Sequence, residues 1–182
     1  QSATALNQLP PFDLVIGQLE IPQEVTAAAF ERARELGVTT VLNPAPFDEI
    51  SPRLLQASDW IIPNETEFEG LHPDNLAPTS DEIIAEVASH YNCRLVVTLG
   101  EAGAALTTPE GAVQRIPAPT VTAIDTTGAG DAFVGGFAVG LVLGYPEDKA
   151  CELGCACASD STTRRGTQSS YLTKDRAAQF LR

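Results

Sequence analysis

The sequence has no methionine, a single tryptophan and few basic side chains: 11 Lys and Arg stand against 24 Asp and Glu, and the net charge of the 182 residues is −13. This balance argues against nucleic acid or an anionic membrane surface as a partner, because both require a basic face. A secretory signal is also absent, and the longest apolar run, residues 132–144, is too short to span a bilayer. We therefore expect a protein of the cytoplasm.

Cysteine is scarce as well, with four residues in the chain. Cys151, Cys155 and Cys157 lie within one predicted helix, without the paired CxxC spacing or the histidine partners of a zinc site. We expect free thiols, which are typical of a reducing compartment. His72 and His90 have no ligand or catalytic context, and we expect both at the surface.

The hydrophobic content of 43% is enough for one sizeable core, and no Pro/Gly-rich linker divides the chain, which predicts a single domain over residues 1–182. Short apolar runs alternate with segments of helical spacing, and this predicts a mostly parallel sheet in a three-layer αβα fold. The predicted strands are 14–16, 38–42, 60–62 and 95–99, a hairpin lies between 104 and 124, and the helices include 22–36, 81–90, 129–143, 147–163 and a short one from Thr173.

The most informative segment is 125–133, where a strand's end, small residues, a carboxylate and an apolar helix follow one another. Gly128, Ala129 and Gly130 carry no bulk that would keep a ligand from their amides, and a helix beginning there directs its unpaired donors at an anion. Asp131 then lies in the first helical turn, where a carboxylate can accept the proton of a hydroxyl that attacks a phosphoryl group. From the loop alone, the alternative stays open that Asp131 only favours the helix dipole.

Further polar residues lie at the ends of predicted strands, where open α/β sheets bind ligands. Asn43 follows the second strand, Asn64 follows the third, and Thr98 ends the fourth. Asn64 and Glu67 are three residues apart at the start of a helix, so their side chains project from one face. Local sequence does not separate a ligand-binding role from an N-cap whose capping box Glu67 completes.

Together with the 125–133 loop, four segments occur in the order found in one family: Asn43-Pro44-Ala45-Pro46, Asn64-Glu65-Thr66-Glu67, 98–103 and 165–170. In these segments the chain resembles the C-terminal part of ribokinases, within the PfkB-type sugar kinases. The resemblance spans nearly the whole chain. Members of that family also carry an N-terminal portion with a glycine-rich sugar clamp and a β lid, to which nothing here corresponds. We therefore expect the chain to be a fragment of a longer protein or the product of an incomplete gene model.

The resemblance implies ATP-dependent phosphorylation of D-ribose to D-ribose 5-phosphate, with Asp131 as the base and the amides of Gly128, Ala129 and Gly130 stabilising the transferred group. The implied partners are a small-molecule sugar and ATP, and the complete protein can form a homodimer. Two alternatives remain: a nucleotide-binding chain without turnover, and a PfkB kinase for another sugar or nucleoside. A dinucleotide-dependent oxidoreductase fits less well, because Phe133 stands where GxGxxG needs its third glycine.

The resemblance also implies ligands for ATP and for two metal ions. Asn64 would contact phosphate oxygens while Glu67 binds hydrated Mg²⁺ through water. The nucleotide would be lined by Thr98, Gly100, Gly103 and Cys155, the last of which stands where the family often has an adenine-contacting His or Asn. A K⁺ beside the loop would be held by Asp125, Thr127, Ser161, Arg164, Gly166 and Ser170.

Two residues near this cation site allow other interpretations. Asp125 can alternatively serve only as a cap for the loop amides. Asp160 falls near the apolar face of its predicted helix, where the family usually has an aliphatic residue. An acidic group there is either solvated or costs about a kcal/mol or more if it is buried without a partner.

Overall fold

The structure, a computed structural model, describes residues 11–173 together with Arg176, Ala177 and Phe180. Its strands are β1 (Leu14–Gly17), β2 (Thr39–Leu42), β3 (Trp60–Ile61), β4 (Arg94–Thr98), β5 (Ala104–Thr107) and β6 (Val113–Ile116). Its helices are α1 (Gln23–Glu35), α2 (Pro52–Ala57), α3 (Glu65–Leu71), α4 (Asp81–Tyr91), α5 (Ala129–Val142) and α6 (Glu147–Thr162). Short 3-10 turns occupy Gly100–Ala102 and Gln168–Ser170. The short helix predicted from Thr173 lies mostly outside the described residues.

The strands form one sheet in the order β1-β2-β3-β4-β5-β6. The first three neighbouring pairs are parallel, with Leu14 opposite Thr39 and Trp60 opposite Arg94. Parallel neighbours need long crossovers, and the helices α1 to α4 fill the connections between β1 and β4. This arrangement confirms the three-layer α/β fold with a mostly parallel sheet. Within the described residues, none of the helices combines the length and the apolar character that a bilayer crossing needs.

The chain reverses tightly on both sides of β5. The N–H of Leu99 donates to the carbonyl of Gly103 at 2.8 Å, and the N–H of Thr108 donates to that of Ala112 at 2.8 Å. The second bond, with β5 and β6 as neighbours in the sheet, confirms the predicted hairpin. Gly103 has a φ of +96°, and a Cβ there would lie 2.0 Å from the carbonyl oxygen of Ile116, so only glycine fits this turn.

The chain divides into two compact units. The first contains the residues up to Val97 together with Thr107–Val113. Its core consists of fully buried side chains from helices and strands alike, among them Phe30, Leu42, Leu54, Phe68 and Ile84. Asn43 organises the ends of the strands in this unit, because its side chain donates to the carbonyl of Ile62 at 2.9 Å and accepts from Gln18 at 2.8 Å.

The second unit contains Thr98–Leu106 and the chain from Gln114 onward. In it, α5 and α6 approach closely along a stripe of glycines. A Cβ on Gly136 would lie 2.8 Å from the Cys157 sulfur, and one on Gly140 would lie 2.7 Å from the Ala150 Cα. At these two glycines the backbones of α5 and α6 are therefore in near contact.

Gly140→Ala tests this close approach. We expect the substitution to lower the free energy of unfolding by about 1–3 kcal/mol, because the added methyl meets the α6 backbone, which cannot move aside. Gly135→Ala is the matched control in the same helix: nothing lies within 4 Å of its added Cβ. There the gain in helix propensity should raise the free energy of unfolding by about 0.5–1 kcal/mol. Urea unfolding of the two variants measures both changes in the free energy of unfolding. Equal changes in the two variants would contradict the packing argument.

Candidate active site

The predicted anion loop leads directly into a helix. Gly128 is the N-cap of α5 with a φ of +79°, and the helix begins at Ala129. A side chain at position 128 is excluded twice, because the left-handed backbone disfavours it and because a Cβ there would lie 2.7 Å from the Tyr171 hydroxyl oxygen. Asp131 lies exposed in the first turn of the helix. The loop glycine and the candidate base are thus carried by a single helix start.

The three predicted loop amides are not equivalent. The N–H of Ala129 donates to the carbonyl of Thr126 at 3.1 Å, so an anion bound there has to share that donor. Gly130 is exposed, and no atom outside its helix and chain neighbours lies within 4 Å of a Cβ built on it. The approach to Gly130 is therefore open on the side where its missing side chain would stand.

Asp125 joins the loop to the segment that follows α6. One carboxylate oxygen accepts the N–H of Thr127 at 3.0 Å, and the other accepts the N–H of Gly166 at 2.9 Å. These hydrogen bonds, led by the one from Gly166, lower the pKa of Asp125 to about 2. The carboxylate is therefore ionised throughout the neutral range, and it connects two loops that lie far apart in sequence.

Arg164 holds the other end of the segment after α6. Its guanidinium donates to the carbonyl of Ser170, at 3.2 Å from Nε and 2.6 Å from one terminal nitrogen, and it also pairs with Asp160. Arg176 contacts the same Asp160 carboxylate at 2.6 Å. Asp160, whose side chain is only 12% exposed, thus has two arginine partners. Of the two interpretations of this residue, the structure supports burial, and the charge is compensated.

The six predicted K⁺ ligands fall into two hydrogen-bonded groups within the second unit. Asp125, Thr127 and Gly166 form the first through the bonds described above. In the second, Arg164 donates from its backbone N–H to the carbonyl of Ser161 at 3.3 Å and from its side chain to that of Ser170. The ionised carboxylate suits a monovalent cation, while the Ser170 carbonyl already has a cationic partner. The geometry also satisfies the plainer interpretation, since Asp125 caps two loop amides.

Asn64 and Glu67 form a complete capping box at the start of α3. The Asn64 side chain accepts the N–H of Glu67 at 2.9 Å, and the Glu67 carboxylate accepts the N–H of Asn64 at 2.9 Å. Glu67 is 7% exposed, and burial raises its pKa while the Asn64 amide opposes that rise. The structural alternative for this pair is thus realised. A metal role remains a prediction, and it would use the same carboxylate.

The residues predicted to line the nucleotide belong to the second unit. Thr98 ends β4, and Gly100 begins the following turn with a φ of +54° and open space around it. Gly103 is needed for the turn itself, as described above. Cys155 is 3% exposed, and its sulfur lies 4.0 Å from the carbonyl oxygen of Ile116. Its contact with a nucleotide stays a prediction.

Sequence reasoning missed one functional candidate and misplaced one histidine. The hydroxyl of Tyr171 lies 3.3 Å from Oδ2 of Asp131; partial burial and this carboxylate raise its pKa, so it keeps its proton at neutral pH. Nothing in the local pattern indicated this contact. The prediction that His72 is at the surface was wrong: it is 2% exposed, beside Phe68. The apolar residues around it, Phe68 and Leu71, were the available signal. His90 is exposed, as predicted.

The cysteines and histidines of the described residues do not form a zinc-type site. All four cysteines are unbridged, as expected. Across residues 11–173 and the few described beyond them, no three His, Cys, Asp or Glu side chains gather as metal ligands would. A sheet with parallel strands, together with a helix N-terminus that carries a carboxylate beside a glycine loop, is instead typical of α/β enzymes that handle phosphate groups.

The sequence pattern of the pfkB family carbohydrate kinases matches residues 12–174, and the chain belongs to that family. Ribokinase from Haemophilus influenzae is 37% identical over 176 residues, which cover 96% of this chain and 57% of that protein. Deoxyribokinase from Salmonella typhi is 36% identical over 184 residues, which cover 97% of this chain and 58% of that protein. The solved structure of Arabidopsis thaliana ribokinase complexed with ribose and ATP matches with a TM-score of 0.84 at 27% identity, covering 92% of this chain and 55% of that one. The chain spans a little over half the length of these relatives.

The role of Asp125 as an ionised cap can be tested by acid titration of stability. Its pKa of about 2 in the folded state lies below the unfolded value of about 3.9. Its contribution to stability is therefore complete above about pH 4 and is lost as the pH falls through about 2. We expect the gap in thermal midpoint between wild type and Asp125→Asn to be constant from about pH 8 to 5 and to shrink below about pH 4. A gap that is unchanged down to about pH 2 would contradict this role.

Proposed function

We propose that the complete protein is an ATP-dependent sugar kinase that transfers the γ-phosphoryl group of ATP to the 5-hydroxyl of D-ribose in the cytoplasm. The observation that carries this proposal is the position of Asp131 in the first turn of α5, close to Gly128, the N-cap of that helix. Membership of the pfkB family supports the reaction class. The complex of Arabidopsis ribokinase with ribose and ATP supports the pair of substrates. A homodimer is part of the same proposal.

In this reaction, Asp131 accepts the proton of the sugar hydroxyl as the oxygen attacks the γ-phosphorus of ATP; the bond from that phosphorus to the β–γ bridging oxygen breaks, and ADP leaves. The N-terminal amides of α5 and its dipole stabilise the charge on the transferred phosphoryl group. The position of Asp131 on a helix that packs against α6 fixes its backbone, which lowers the entropic cost of reaching the reactive geometry.

Mg²⁺ and K⁺ are part of the proposal because the donor atoms suit both ions. Asn64 and Glu67 offer an amide oxygen and a carboxylate, the hard donors that Mg²⁺ takes directly or through water. Such an ion supplies neutralisation of phosphate charge. Asp125, with the carbonyls of its neighbouring loops, would hold K⁺ and so fix the shape of the loop that precedes α5.

Deoxyribose is the second candidate acceptor, because the Salmonella deoxyribokinase is as similar to this chain as the ribokinases are. The third possibility is nucleotide binding without turnover. An assay of sugar-dependent ADP release, with D-ribose, 2-deoxy-D-ribose and D-fructose at matched concentrations, separates these outcomes. We expect the highest kcat/KM for D-ribose; ATP binding without release of ADP for any sugar would favour the silent nucleotide binder.

Asp131→Asn tests the base directly. We expect kcat to fall by about two to four orders of magnitude, the usual contribution of a general base, while ATP affinity changes little because the loop is unaltered. Asp148→Asn is the matched control, since Asp148 is a first-turn carboxylate of the neighbouring helix α6, and it should retain the wild-type kcat. A near-normal kcat in Asp131→Asn would remove Asp131 from the chemistry.

The cation proposal predicts that activity depends on K⁺. At constant ionic strength, replacing K⁺ by Na⁺ or by a bulky organic cation should lower kcat or raise the KM for ATP, and Asp125→Ala should remove this dependence along with most activity. Constant ionic strength is needed because the net charge of −13 would otherwise mix screening with specific binding. Equal rates in all three salts, with Asp125→Ala still active, would leave Asp125 as a loop cap only.

A further inference from the structure

Tyr171 lies outside every role assigned so far, although its hydroxyl lies at the centre of the candidate site. Two separate observations place it there. The hydroxyl oxygen is 3.3 Å from Oδ2 of Asp131, and it would lie 2.7 Å from a Cβ on Gly128. One hydroxyl therefore borders both the carboxylate that accepts the proton and the glycine that opens the anion loop.

The backbone around Tyr171 is held firmly. Its own N–H donates to the carbonyl of Gln168 at 3.4 Å, and the preceding Ser170 is fully buried with its carbonyl held by Arg164. Further back, the N–H of Gly166 is bound by Asp125. The segment 164–171 is thus attached at two points before it presents the tyrosine, so the position of the hydroxyl does not rest on a free loop.

The contact can influence how the Asp131 side chain is oriented. The carboxylate is exposed on the first turn of α5, and such a side chain has more than one staggered conformer open to it. A hydrogen bond to a charged acceptor is stronger than one between neutral groups, so a neighbouring hydroxyl can select one of these conformers. A preselected conformer reduces the reorganisation needed when the sugar hydroxyl arrives.

We propose that Tyr171 is a positioning residue for Asp131: its hydroxyl donates to Oδ2 and holds the carboxylate beside Gly128 in the orientation that accepts the sugar proton. The benefit to the reaction rests on the proposed kinase function. The contact between the Tyr171 hydroxyl and Asp131 does not depend on that function. The two parts are therefore tested by separate measurements.

The contact is tested in the 182-residue chain by NMR with tyrosine labelled with ¹³C at Cζ, at one fixed neutral pH. The Tyr171 resonance is assigned by its loss in Tyr171→Phe. We expect it to move by more than its linewidth in Asp131→Ala, since the charged acceptor is gone. Tyr91, whose hydroxyl donates to the Leu71 carbonyl at 2.9 Å, is the internal control and should not move. A Tyr171 resonance that is unchanged in Asp131→Ala would overturn the proposal.

The catalytic part is tested by kinetics of sugar-dependent ADP release. Tyr171→Phe keeps the ring and removes the hydroxyl; we expect kcat to fall about tenfold while the KM for ATP changes less than about twofold, the effect of one hydrogen bond to a charged group. In the Asp131→Asn background the same substitution should have no further effect on kcat, because Tyr171 acts through that carboxylate. Tyr145→Phe, just beyond the C-terminal end of α5, is the control and should retain the wild-type kcat.

The outcomes separate the two proposals. A tenfold loss of kcat in both the wild-type and the Asp131→Asn backgrounds, or no loss in either, would overturn Tyr171 as a positioning residue. If the complete wild-type protein phosphorylates none of the sugars, the kinase proposal fails, and the resonance shift in the 182-residue chain still decides whether Tyr171 holds Asp131.

Discussion

The Asp125 carboxylate is the interaction on which the candidate site depends. By accepting the N–H of Thr127 and the N–H of Gly166, it joins the approach to α5 to the segment that leaves α6. That approach is attached a second time, because the carbonyl of Thr162, the last residue of α6, accepts the N–H of both Ile124 and Asp125. These bonds connect the anion loop to the segment that carries Tyr171. The same amides that the carboxylate fixes lower its pKa, so its charge persists into acid solution.

The first unit uses neutral amides for a comparable task. Asn43 links the ends of three parallel strands by hydrogen bonds to Gln18, to Ile62 and, through its backbone N–H, to Gly17. Asn64 and Glu67 cap the start of α3, because each side chain accepts the backbone N–H of the other residue. The capping box already uses one oxygen of each side chain, so a metal ion at Glu67 would share that carboxylate with the helix start.

Local patterns predicted the elements well, because strands and helices here are dictated by periodicity and by nearby caps. The helix predicted at 22–36 is observed as Gln23–Glu35, followed by Gly37 with a φ of +73°, and the capping box of Asn64 was visible in the spacing. The tertiary contacts were not predictable in the same way. Tyr171 and Asp131 are 40 residues apart, and Asp125 and Gly166 are 41 apart, so no helical or strand period relates them. Gly103 was expected to serve a ligand, whereas a nearby backbone already explains why a glycine is needed there.

The glycine stripe between α5 and α6 has a consequence for the way this protein can respond to what it binds. Where two helices are spaced by side chains, a ligand that fits poorly can be accommodated by a change of rotamers along the interface. Gly136 and Gly140 leave almost no rotamers to change in the second half of α5, so this part of the helix has little room to shift against α6. Any adjustment of this helix pair to a ligand would consequently have to come from residues outside the two backbone contacts.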